Sequence, residues 1–178
     1  MTCGMLAGVL SAGCSPTGGD GEATVMTVVT GFSQGGPAST VDTVNIGVPD
    51  SENLTGHSVR IERISLVSLP PSVHLRSVYA YAPGPDVGVM FGNLRTQCPA
   101  KKAYPLTAVV IPPHAVQGWH AIVAISFTKP GRYDLDHVKI YYVTDGHQGW
   151  QYQDLNTTMV ISAPRKGARP AFDGCLTD

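Results

Sequence analysis

Charge is what this sequence has least of. Asp, Glu, Lys and Arg make up 14% of its 178 residues, against a usual share of about 25%. The formal net charge is −1, which excludes the strong positive field that draws in nucleic acid or an anionic bilayer surface. Long apolar runs are missing as well. None reaches the roughly 18 residues a transmembrane helix needs. No long segment repeats its apolar residues at the spacing of a helix face. Catalytic signatures in their expected context are absent too. GFSQG (31–35) has the letters of GxSxG, but no serine stands in the strand-turn-helix setting that motif needs, and there is no HExxH and no glycine loop between a strand and a helix. These gaps argue against an enzyme, and no cofactor is expected.

What is present favours strands and turns. Twenty glycines and fourteen prolines punctuate stretches rich in Val, Ile, Thr and Tyr, the residues that suit a pleated surface. Nine strands are predicted: ATVMTVVT (23–30), TVDTVNIGV (40–48), HSVRIERISLV (57–67), VHLRSVYAYA (73–82), VGVMF (87–91), LTAVVI (106–111), WHAIVAISF (119–127), RYDLDHVKIYYV (132–143) and WQYQDLNTTMVIS (150–162). Short strands at this spacing predict an all-β antiparallel sandwich of about seven to nine strands.

Alternation adds detail. Ala121, Val123, Ile125 and Phe127 share one parity and are assigned to the core. Tyr133 and Leu135 share a parity that Val138, Ile140 and Tyr142 do not. Both groups face inward only if a residue is inserted, so a β-bulge is predicted near Asp136–His137. Ile61 and Ile64 show the same slip, which predicts a second bulge near Glu62–Arg63.

Residues 4–23, GMLAGVLSAGCSPTGGDGEA, pass from small apolar residues through Cys14 into a polar, glycine-rich stretch. This resembles the lipobox of bacterial lipoprotein signals, in which the cysteine carries the lipid. Ser11 stands where that pattern prefers Leu, and no Lys or Arg precedes Cys14. The basic part of the signal is therefore expected upstream or trimmed. The resemblance implies a signal remnant over 1–13, a flexible tether over 14–22 and a β-sandwich domain over 23–178. It also implies a multiply acylated Cys14, since two or more chains anchor stably where one does not.

Cys3 falls in the signal remnant, which leaves Cys98 and Cys175 in the folded part. In an exported protein a disulfide between them is the default reading. It would contribute about 4 kcal/mol in the chain-entropy model. Two separate buried thiols are the alternative.

The run KPGRYDL (129–135) resembles the tyrosine corner of immunoglobulin-like sandwiches, with Tyr133 as the corner tyrosine and Leu135 as the core position. Taken with Cys14, the whole chain looks like the small lipoproteins of Gram-positive and actinobacterial type. That resemblance implies a domain held outside the cytoplasm by a membrane lipid anchor, with a protein or small-ligand partner and no nucleic acid.

Three function classes follow. The first is a non-catalytic binding or envelope-assembly module. Its expected binding surface is His114, Trp119 and His120 on one connection, with His147, Trp150 and Tyr152 near a hairpin tip, because Trp and Tyr with polar neighbours suit recognition. The bland alternative is that both Trp rings cap the core. The second class is metal handling, copper or zinc, through loop histidines. The six histidines, His57, His74, His114, His120, His137 and His147, show no HxH or HxxxH spacing, and no metal ligand is assigned. The third is a small hydrolase, for which Asp134 and Asp136, two apart on a predicted strand, are the candidate carboxylates. Asn53 and Asn156 head glycosylation sequons, which a bacterial lipoprotein would leave bare.

Overall fold

The structure is a computed structural model that describes residues 21–28, 34–81, 90–91, 103–116 and 120–164. Cys14, Cys98, Trp119 and Cys175 lie outside the described residues. So do the expected lipid site and the expected disulfide. No helix among the described residues is long and apolar enough to cross a membrane.

The chain is all-β. Its strands are β1 (Gly21–Glu22), β2 (Gln34–Ser39), β3 (Thr43–Val48), β4 (Val59–Leu66), β5 (Val73–Tyr81), β6 (Met90–Phe91), β7 (Ala103–Tyr104), β8 (Val110–Ile111), β9 (His120–Phe127), β10 (Gly131–Thr144) and β11 (His147–Ser162). They form two sheets, ordered β6-β3-β9-β5-β7 and β11-β10-β4-β8, with β1 and β2 both on the outer edge of β11. Val44, Ile46, Val73, Val123, Ile125 and Phe127 of the first sheet share one core with Val59, Ile61, Val138, Ile140, Leu155 and Met159 of the second. At roughly 25 cal/mol per Å² of buried apolar surface, this two-layer core is the main source of stability.

Both predicted bulges are present. The β10–β11 register shifts between Leu135 and His137, where Asp136 stands against two β11 residues, Leu155 and Asn156. In the β10–β4 ladder, Tyr141 pairs Arg63 and Tyr142 pairs Ile61, so Glu62 is the extra residue. At these breaks in register Leu135, Val138, Ile61 and Ile64 all reach the core. A third shift, between Leu75 and Ser77, left no parity signal in the sequence.

The expectation of purely antiparallel sheets is corrected. β1 and β2 each run parallel to β11. β2 was not expected, because Gly35-Gly36-Pro37 reads as a turn. Gly35 is what makes the pairing possible. Its φ is +153°, and a Cβ there would lie 1.9 Å from the Thr158 carbonyl oxygen. Pro37 is tolerated because β2 is an edge strand.

The strand expected over 23–30 is also corrected. Within its described residues, 23–28, only Met26 forms a bridge, to Asn53. A side chain supplies the missing ladder. The Gln151 Oε1 accepts from the Val25 and Met26 amides at 3.1 and 2.9 Å, and its Nε2 donates to the Met26 carbonyl at 3.0 Å. The expected strand 106–111 begins instead as a 3-10 turn, Leu106–Ala108, leaving only Val110–Ile111 as strand. Pro105 precedes that turn, and its carbonyl accepts from the Ala108 amide.

Candidate functional site

The β10–β11 hairpin is the longest unit in the fold, with strands of 14 and 16 residues. Its turn is Asp145–Gly146, with φ of +48° and +75°, the two positive values that a tight two-residue hairpin requires. His147 already belongs to β11 and pairs Thr144. Trp150 and Tyr152 are therefore strand residues on an open sheet face, not loop residues.

Strand parity sorts the side chains. Gly149, Gln151, Gln153 and Leu155 are buried, while Trp150, Tyr152 and Asp154 alternate with them and face outward. On β10, Val138, Ile140 and Tyr142 go in, and Lys139 and Tyr141 go out. The bulge at Glu62 puts Arg63 of β4 beside Tyr141. The outcome is a strip across three strands. The Arg63 guanidinium carbon lies 3.7 Å from the Tyr141 ring centroid. The Lys139 ammonium lies 3.6 Å from the Trp150 ring and 5.1 Å from that of Tyr141. Trp150 and Tyr152 meet edge-on, with centroids 5.2 Å apart. Such cation–π contacts contribute about 0.5–1 kcal/mol each at exposed positions.

Beside the strip, Glu62, Arg63, Tyr141, Tyr142, Gln148 and Gly149 line a shallow depression of about 230 Å³. Crowding by neighbours acts to raise the Tyr141 phenol. The Ser65 hydrogen bond and the charges of Arg63 and Lys139 outweigh it, so the phenol sits below the ordinary tyrosine value. Asp134, further along the same face, is held below the ordinary carboxylate value by its hydrogen bonds from Thr158 and Arg132.

The sequence-predicted residues are only partly brought together. Trp150 and Tyr152 touch. His147 has the opposite parity and is exposed beside the turn. His114, exposed with φ of +53°, follows β8. His120, at the start of β9, approaches Asp50 with Nδ1 3.5 Å from its carboxylate. His57 and His137 each approach a different carboxylate, Asp145 and Asp154, at 3.7 and 3.2 Å. Among the described residues no three His, Cys, Asp or Glu side chains converge as metal ligands. Asp134 pairs Thr158, whereas Asp136 stands at the register shift and pairs no β11 residue. Asn53 is fully buried. Its amide donates to the carbonyls of His57, Ile111 and Pro112, and its Oδ1 accepts from Thr55, which makes it structural.

Arg63, Lys139 and Tyr141 were missed as site residues. Their signal was the outward parity of VKIYY, which the sequence reading used only to find the core.

No protein-family model matches the chain, and no curated protein matches it significantly. Among solved structures it is similar to that of the Vibrio cholerae VesB protease, at 10% identity and a TM-score of 0.35, over 77% of this chain. The chain spans 32% of that protein. At that score the likeness bears on neither fold family nor activity.

Proposed function

We propose that this protein is a non-catalytic binding module, held outside the cytoplasm by a lipid on Cys14, that presents the outward face of β4, β10 and β11 to its partner. The observation that carries the reading is the strip Arg63–Tyr141–Lys139–Trp150–Tyr152, where cations and rings are displayed on the outward face of a sheet and not spent in the core. Aromatic and Arg side chains at the centre of an accessible face are the usual carriers of binding energy.

We also propose that the sandwich is of immunoglobulin type. The order β3-β9-β5 takes the places of strands B, E and D, and β11-β10-β4 those of G, F and C. The corner supports it. The Tyr133 hydroxyl at the start of β10 donates to the Lys129 carbonyl at 2.9 Å, in the connection just before it.

Two measurements test the reading. In a bacterial host expressing the full chain, the membrane fraction should yield an acylated polypeptide beginning at Cys14 by intact mass. An unmodified soluble chain overturns the anchor. Retention of the chain on isolated cell envelopes should fall at least tenfold in Trp150→Ala. Retention equal to the parent chain removes this face as the binding surface.

A further inference from the structure

We propose that this face binds an anionic polysaccharide, its acid groups held between Arg63 and Lys139; the proposal rests on the binding-module reading above and names its ligand class.

The charges carry the argument. Two of the four Arg and Lys side chains on the strands of this sheet are already answered. Arg60 pairs Glu62 at 2.6 Å and Arg132 pairs Asp134 at 3.2 Å. Arg63 and Lys139 have no carboxylate partner among the described residues. Both lie instead on aromatic rings, which orient a cation without neutralising it. Two such cations flank Tyr141 and, with the Ser65 hydrogen bond that leads the effect, hold its phenol low. A ligand acid group would supply the missing counter-charge through charge-assisted hydrogen bonds.

The shape argues for a polar polymer. The depression of about 230 Å³ is open and smaller than the roughly 300–1,000 Å³ of enclosed ligand pockets. It suits one unit of a chain laid across the strands. A peptide cannot add as a strand to β11, because β1 and β2 occupy that edge. A protein partner would need a contiguous apolar centre. The large apolar side chains exposed on this sheet, Val110, Tyr152 and Val160, are scattered. Tyr152 and Val160 alone stand about 26 Å apart along β11 at ~3.3 Å per residue. Nucleic acid is disfavoured by the net charge of −1.

The test is calorimetric titration of the full chain with hexagalacturonate, with maltohexaose as the neutral counterpart and poly(U) as the competing polyanion. Hexagalacturonate should bind, more weakly as salt rises, and maltohexaose should not. Arg63→Gln and Lys139→Gln should each weaken binding about tenfold, the scale of one lost charged hydrogen bond. Arg132→Gln, whose guanidinium already has Asp134, should leave it unchanged. No binding at millimolar hexagalacturonate, equal binding of maltohexaose, tighter binding of poly(U), or an equal loss in Arg132→Gln each overturns the proposal. If hexagalacturonate fails while envelope retention still depends on Trp150, the ligand class falls and the binding face stands. If retention also ignores Trp150, both fall.

Discussion

Tyr141 and Tyr142 are adjacent in the chain and belong to opposite faces of one sheet. Tyr141 points outward between two cations, and the Ser65 hydrogen bond together with those charges lowers its phenol. Tyr142 points inward, where burial raises its phenol. Its ring fills the space over Gly149, and its hydroxyl donates to the Ala23 carbonyl at 2.8 Å. The same contrast runs the length of the hairpin. On the inner face polar groups are used up in holding backbone, as Gln151 holds Val25 and Met26. On the outer face Arg63 and Lys139 lie against rings and have no carboxylate partner among the described residues. A polar group that serves the fold is saturated with fixed partners, whereas one available to a ligand keeps capacity to spare.

Substitutions on the two faces should therefore differ sharply in their effect on stability. Gln151→Leu strands two buried amides and a carbonyl, and should destabilise by about 3 kcal/mol, read as a lower urea midpoint at unchanged slope. Gly149→Ala places a Cβ 2.6 Å from the Tyr142 hydroxyl. Displacing that ring should cost about 2 kcal/mol in the same assay. Lys139→Gln on the outer face should change stability by no more than about 0.5 kcal/mol. A loss comparable to that of Gln151→Leu would make the strip structural and erase the contrast.

The smallest effect is spectroscopic. In an absorbance titration, Tyr141→Phe should remove an early component of phenol ionisation and Tyr142→Phe a late one. Stability should follow the raised group. The Tyr142 contribution is complete below the ordinary tyrosine value of about 10 and is lost as pH climbs from there through its folded value, because the unfolded chain releases that proton first. In Tyr142→Phe this part of the alkaline decline should vanish. A late component that persists in Tyr142→Phe would show that burial of this hydroxyl is not what separates the faces.

Much of the fold was legible. Bulges at Asp136 and Glu62 followed from parity alone, because a strand cannot bury residues of both parities without an insertion. The corner at Tyr133 followed from its place after Lys129-Pro130-Gly131. The site was less legible. Trp150 and Tyr152 were found by residue type, but Lys139 joined them only through the hairpin register that sets it opposite Tyr152, and Arg63 through the pairing of distant β4 with β10 that sets it opposite Tyr141. The parallel strand β2 stayed hidden because Gly35 and Pro37 have strong turn preferences. Only the neighbouring Thr158 carbonyl explains why a glycine is needed in a strand there.

By itself the sequence determined the all-β class, the inward sets read on β9 and β10 and the two parity slips, since these depend on a period of two residues read along one segment. The tertiary structure alone decided which strands are neighbours, that the N-terminal segment lies parallel on β11, and that two cations rest on two rings. Those are contacts between distant segments, and no local pattern encodes a partner that the chain meets only after folding.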